Sequence, residues 1–225
     1  MTSKVTESVA TVSNDEGLST LLARGLEQMN LPLPPQTQAK LLGYLALLAK
    51  WNRVYNLTAV RDPTQMVMRH LLDSLSVVPY IKGSRVLDVG TGAGLPGIPL
   101  ALALPDVQFV LLDSNRKKTR FVTQAVADLG LSNVTVEACR IEDYRPGESF
   151  DTVISRAFSE LVEMLTATGR LCRAGGVMLA MKGEYPAQEL AGVPEGFAAA
   201  TVHPLIVPGL DAKRHVVCVT ANGAS

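Results

Sequence analysis

Residues 86–99 read Val86-Leu-Asp88-Val-Gly90-Thr-Gly92-Ala-Gly94-Leu-Pro-Gly97-Ile-Pro99. An apolar, β-branched run gives way to glycines at 90, 92, 94 and 97, and an apolar stretch over 98–104 follows. The pattern predicts strand, tight loop, helix. Glycines admit positive φ and let a ligand approach without a Cβ in the way, and a helix start presents unpaired N–H groups to an anion. Such a loop suits a nucleotide cofactor without naming it.

Two cofactor classes fit. Gly92, Gly94 and Gly97 satisfy G-x-G-x-x-G, and Asp113 follows about 20 residues on, as a dinucleotide fingerprint requires. Against this, Asp88 stands two residues before Gly90 at the carboxyl end of the strand. That placement suits S-adenosylmethionine, which has no pyrophosphate: an acid or backbone carbonyls near the loop meet its ammonium, and a second acid, Asp113, meets its ribose diol. The run Asp88-Val-Gly-Thr-Gly-Ala-Gly94 resembles motif I of the Rossmann-like methyltransferases. A purely structural glycine loop is the third alternative.

The 225 residues, 47% hydrophobic and 19% charged, allow one sizeable core and an extension. Lys and Arg balance Asp and Glu at a net charge of +0, so a nucleic-acid partner must be met by a local basic patch. The opening residues are polar and no apolar run approaches membrane length, so a soluble, cytoplasmic protein is expected. Cys139, Cys172 and Cys218 are odd in number and lack C-x-x-C spacing, while His70, His203 and His215 are scattered. Buried free thiols and no metal site are the expectation.

In chain order, 1–17 is polar without apolar periodicity and is expected to be a disordered tail. Residues 18–83 read as a helical extension, with helices over 18–29, 36–52 and 66–75 and an Asp62-Pro63 start signal before the last. Arg69 and Asp73, four apart on that helix, share a face, which allows a solvated intrahelical ion pair. From residue 84 strands and helices alternate. Strands are expected at 85–89, 108–113, 134–138, 152–155 and 176–181, with a closing hairpin over 198–207 and 214–220. Helices are expected at 97–104, 116–129 and 159–168. This is an α/β domain over 84–225 with a mostly parallel seven-stranded sheet covered by helices on both faces. Ligands in such sheets bind outside the carboxyl ends of the strands, here 88–94, 113, 139–142 and 155–156.

Asn56-Leu-Thr58, Arg69-His70-Leu-Leu-Asp73-Ser-Leu, the 88–99 run, Leu112-Asp113-Ser, Arg140-Ile-Glu142 and Ile154-Ser-Arg156-Ala, in this order, closely resemble the RsmG/GidB family of ribosomal RNA small subunit methyltransferases, also called glucose-inhibited division protein B. The resemblance covers roughly residues 41–182. It implies the Rossmann-like class I fold and methyl transfer from S-adenosylmethionine to N7 of a guanosine, numbered 527, in 16S ribosomal RNA of the small subunit. Carried onto this chain, its cofactor contacts fall on Gly90, Leu95, Ile141, Glu142 and Arg156. The strand-end argument adds Asp88, Gly92, Gly94 and Asp113.

Guanine N7 carries an in-plane lone pair and no proton, so this transfer needs orientation and no general base. Ser155-Arg-Ala-Phe158 lacks the Asn-Pro-Pro-Tyr type motif of exocyclic amine methylation. Arg69, His70, Arg156 and Lys182 are the candidates for positioning the target base, and Phe158 for stacking on it or anchoring the core. Arg156 has the alternative of a structural pair with an acid. Arg116, Lys117, Lys118 and Arg120 are the RNA-binding candidates, of which only one or two can face phosphate together. A monomer without metal is expected. The rival readings are an NAD-linked oxidoreductase using the same glycine loop and a noncatalytic RNA-binding protein.

Overall fold

The computed structural model describes the backbone of residues 3–156, 158 and 160–222, and within those ranges the side chains from residue 16 onward. Helix α1 (Ser3–Gln28) leads to α2 (Pro35–Tyr55). This corrects two expectations, a disordered tail over 1–17 and a helix only from 18, because the described backbone is already helical from Ser3. The helix expected over 66–75 is a composite: α3 (Pro63–Met66), a π-helical stretch Val67–Leu72, and α4 (Asp73–Leu75). Asp62 caps its start, accepting from the Gln65 amide at 2.8 Å as the Asp-Pro signal predicts.

The sheet comprises β1 (Arg85–Val89), β2 (Gln108–Leu112), β3 (Val134–Glu137), β4 (Phe150–Ser155), β5 (Cys172–Lys182), β6 (Thr201–Pro204) and β7 (His215–Thr220). Helices α5 (Gly97–Ala103), α6 (Arg116–Leu129), α7 (Leu161–Thr168) and α8 (Ala187–Leu190) complete the order. The helix expected over 159–168 begins at Leu161, and residue 159 lies outside the described set. Strand order is β3-β2-β1-β4-β5-β7-β6, parallel through β5 and antiparallel at the β5–β7 and β6–β7 pairs. The expected architecture is thus observed, with the first hairpin strand shorter than the apolar run 198–207 implied.

Burial on both faces follows from the continuous apolar strands: Val86 joins a core with Phe109, Leu111 and the helices of the extension, whereas its neighbour Leu87 joins a second core with Val153 and Met164. Leu22, Leu41, Leu48 and Leu71 belong to the first of these cores, so the extension shares the sheet's hydrophobic interior. A buried hydrogen bond from Tyr44 Oη to the carbonyl of Ala93, 2.7 Å long, ties α2 to the glycine loop. Because β2 and β4 lie on opposite sides of β1, the order of strands reverses there. A crevice at the carboxyl ends of these strands is the consequence.

Candidate active site

The glycine loop is held from beneath by Asp88. Its Oδ2 accepts from Thr91 Oγ1 at 2.6 Å and from the Gly97 amide at 2.9 Å, while Oδ1 is buried without a partner. Burial pushes this carboxyl up to about 6 against the bonds from Thr91 and Gly97 that favour its charge. Asp88 has no exposed surface and lines none of the clefts described below, so its interactions are with the loop itself. Gly97 must be glycine because a Cβ there would run into Leu111 and the Asp88 carboxylate. Gly92 differs: with φ +61°, its missing Cβ would point into open space, 3.9 Å from the nearest atom, the Gly90 carbonyl oxygen.

The helix start corrects one expectation. Instead of offering free N–H groups to an anion, α5 uses them: Gly97 donates to Asp88, Ile98 to the Gly94 carbonyl at 2.8 Å and Leu100 to the Pro96 carbonyl at 3.1 Å, and Pro99 has no N–H. A pyrophosphate has no donors left to claim at this end. The dinucleotide reading loses its physical basis here.

Three clefts run in sequence across the strand ends. The first, about 360 Å³, is lined by Gly90, Asp113, Cys139, Ile141, Glu142 and Phe158 among others. Asp113 Oδ2 accepts from the Gly92 amide at 2.9 Å and Oδ1 from the Asn115 amide at 2.8 Å, and each oxygen retains capacity for a further donor. Ile141 and Glu142 arrive on a single 3-10 turn, Ile141–Asp143. Phe158 stands in this wall, together with Glu163, a residue that no motif or spacing singles out.

The second cleft, about 200 Å³, lies over the loop between Thr58, His70, Gly92, Leu95, Lys118 and Arg156. It shares Gly90 with the first. The third, about 360 Å³, shares His70 and Arg156 with the second and adds Arg69, Asp73, Lys182 and Arg214. Asp73 is 3% exposed and bridges two guanidinium groups, Arg156 at 3.2 Å and Arg214 at 3.0 Å. The intrahelical pair with Arg69 does not form: Arg69 is exposed and bonds Gln65 instead. Lys182 lies 2.8 Å from the Glu189 carboxylate and donates to the Phe158 carbonyl at 3.4 Å.

His70 is buried, with Nε2 3.0 Å from Thr58 Oγ1. Thr58 is itself pinned by the Asn52 amide side chain in both directions. Burial, reinforced by the Arg156 guanidinium, lowers the imidazole pKa to about 4. Of the basic run, Arg116, Lys117 and Arg120 are exposed, and Lys118 alone lines a cleft. Gly94 lines none of the three, because its Cβ position is filled by Ile98. A larger hollow of about 580 Å³ between Glu160 and Glu189 touches the third cleft through Lys182 and Gly183 but contains no glycine-loop residue. Among the described residues no group of three or more metal-ligating side chains is assembled.

Residues 37–217 match the model of the family described as rRNA small subunit methyltransferase G. The chain belongs to this family. It is 52% identical over 204 residues to a ribosomal RNA small subunit methyltransferase G of Alkalilimnicola ehrlichii, covering 91% of this chain and 93% of that one. A protein of the same name from Aromatoleum aromaticum is also 52% identical, over 206 residues, 89% of this chain and 98% of its own. Among solved structures, cofactor-bound Rv0187 from MTB superposes with a TM-score of 0.59 at 22% identity, covering 83% of this chain and 91% of that one. The O-methyltransferase TomG from Streptomyces achromogenes, solved with its methyl donor, gives 0.56 at 19% identity over 86% and 92% of the two chains. The family resemblance and the class I methyltransferase fold expected from the motifs are both found.

The residues of the first two clefts fit S-adenosylmethionine. Their walls carry two carboxylates, Asp113 and Glu142, of the kind a ribose diol would need as acceptors, and the backbone of Gly90 and Gly92. The sealed helix start suits a cofactor without phosphate.

Proposed function

We propose that this chain methylates N7 of a guanosine in the 16S RNA of the small ribosomal subunit, acting as a cytoplasmic monomer. The joint between the second and third clefts carries the reading. Its walls there are His70 and Arg156: an imidazole with pKa about 4 is too weak a base for useful proton abstraction near neutrality, and guanidinium cannot act as one. Such a wall suits an acceptor that has no proton to lose.

Bound S-adenosylmethionine supplies an electrophilic methyl group on a sulfonium. The chain's part is alignment. Asp113, Ile141 and Glu142 hold the nucleoside portion, and Gly90, Gly92 and Leu95 the methionine portion. Arg69, Arg156 and Lys182 surround the target nucleotide, with Arg156 serving both clefts and held by Asp73. His70, neutral at working pH, positions a partner without placing a charge beside the base as it becomes cationic. Of Arg116, Lys117, Lys118 and Arg120, the one or two that face the strand contact RNA phosphates, Lys118 among them because it lines the second cleft.

Incubating the protein with methyl-labelled cofactor and small ribosomal subunits, then digesting the RNA for mass spectrometry, tests this directly. The label is expected in 7-methylguanosine at one position. Label on another atom, or none, overturns the reading.

A further inference from the structure

Helix α2 contains Lys40, Lys50 and Arg53 and no acidic residue. Helix α6 opens on Arg116, Lys117, Lys118 and Arg120 and reaches its one acid at Asp128. The two helices pack together, with the Trp51 and Phe121 ring centroids 5.6 Å apart. Seven cations against one acid is a strong local excess in a chain whose charges balance only as a whole. None of the seven forms an ion pair among the described residues, and Asp128 is engaged by Gln124. Three cations in the first turn of α6 also oppose its dipole, so the helix gains nothing from them.

Tyr55 sits at the seam of this surface. It is the last residue of α2 and 40% exposed, and its ring stacks on Trp51 at 5.3 Å and 30°, which in turn packs on Phe121. Its neighbour Val54 is 72% exposed, and these two are half of the exposed large hydrophobic side chains among the described residues. Directly beyond, Asn56 turns the chain at φ 49°, and Leu57 and Thr58 enter the wall of the loop cleft beside Lys118. An open aromatic face therefore borders both the crevice and the cations.

We propose that Tyr55 is a stacking platform for an unpaired base next to the methylated nucleotide, with Arg53, Lys117 and Lys118 on the flanking phosphates. The proposal rests on the ribosomal RNA reading above. A ring backed by two others presents a rigid face, and every base offers a π-face to it, so recognition here follows single-strandedness rather than sequence. The surrounding cations supply the attraction that brings the strand in.

Trp51 is the only tryptophan of the chain and lies against Tyr55, so its emission reports what docks there. The intact protein is titrated with small-subunit RNA while Trp51 fluorescence is read, and KM for small subunits and the affinity for S-adenosylmethionine are measured in parallel. Wild type should show saturable quenching. Tyr55→Leu, which keeps an apolar cover over Trp51 but no ring, should lose the quench and raise KM about tenfold, with cofactor affinity unchanged. Tyr55→Phe should restore both. An unchanged KM and quench in Tyr55→Leu overturns the platform, as does a matching loss of cofactor affinity, which would make Tyr55 a structural prop. Wild type that transfers no methyl to RNA overturns the function reading instead, and the quench then still decides whether RNA stacks at Tyr55.

Discussion

At one end of the crevice the first cleft takes most of its wall from residues 89–142, the ends of three adjacent strands and a single turn, and its central carboxylate, Asp113, is already tied to backbone amides. At the other end the third cleft draws on residues 60–73, on Arg156, on 181–183 and on 205–215, brought together around one buried carboxylate. The first end is fixed by loop geometry, the second by ion pairs between distant segments. Ligand affinity and catalytic alignment should therefore respond to different substitutions.

The largest effect is expected within the glycine loop. Gly92→Val puts a side chain into the open space over the loop at φ +61°, so affinity for S-adenosylmethionine should fall at least a hundredfold while the fold loses only about 1–2 kcal/mol to backbone strain. Gly97→Val should do the opposite, because its side chain meets Leu111 and Asp88 inside the core. Titration calorimetry alongside thermal melting separates them. Equal losses of affinity and stability in both variants would mean that the loop does not divide into a ligand face and a packed face.

Asp73→Ala tests the other end. It releases Arg156 and Arg214 together, and since those side chains are 30% and 23% exposed they can rehydrate, so the stability cost should stay near 2 kcal/mol rather than the larger figure for a fully buried pair. Methyl transfer should drop at least tenfold, whereas cofactor affinity, which loses only the anchoring of Arg156 at the edge of the second cleft, should fall by no more than about fivefold. Single-turnover rates and calorimetry provide the two numbers. A parallel loss of cofactor binding would erase the distinction between the two ends.

The same division explains what could be read from the chain beforehand. Strand ends and the glycine loop are legible because their signals are local: apolar runs broken by glycine, and an acid, Asp88 or Asp113, at the end of each of the first two strands. Helix α6 has the expected bounds, Arg116–Leu129, and the structure shows Asn115 and Gly130 capping its two ends. Arg214 was missed because its partner Asp73 lies 141 positions away, and no periodicity links the two. The spacing of Arg69 and Asp73 misled for a related reason: the intervening π-helical stretch and the pull of two other arginines turn Asp73 inward. Asp88 was legible as important and misjudged in kind, since sequence shows where an acid stands but not whether the loop closes over it. The sealed start of α5 is likewise a matter of which amides find partners, which only the folded loop decides.

The smallest effect, and the finest test of the joint between the two ends, concerns His70. Its imidazole pKa, about 4 through burial and the nearby Arg156, lies below the ordinary value, so the folded protein binds fewer protons than the unfolded chain between about pH 6.5 and 4. Stability from this group is complete above that window and is lost as pH falls through it, by about 2 kcal/mol between pH 7 and 5. Asp88 acts in the opposite sense: its carboxyl, raised to about 6, makes the fold bind more protons than the unfolded chain between about pH 4 and 6, so its contribution is lost as pH rises. The two slopes offset one another in wild type. His70→Gln removes one of them, and the gap in unfolding free energy between wild type and variant should move in the variant's favour by about 2 kcal/mol from pH 7 to 5. Denaturant unfolding across that range measures it, and parallel curves would mean that the imidazole titrates normally. The rate of methyl transfer gives the complementary reading. With no proton to remove from N7, single-turnover rates in both proteins should be flat from about pH 6 to 9. A rise near neutrality that disappears in His70→Gln would make the imidazole a base, and the acceptor would then have to be an atom that carries a proton.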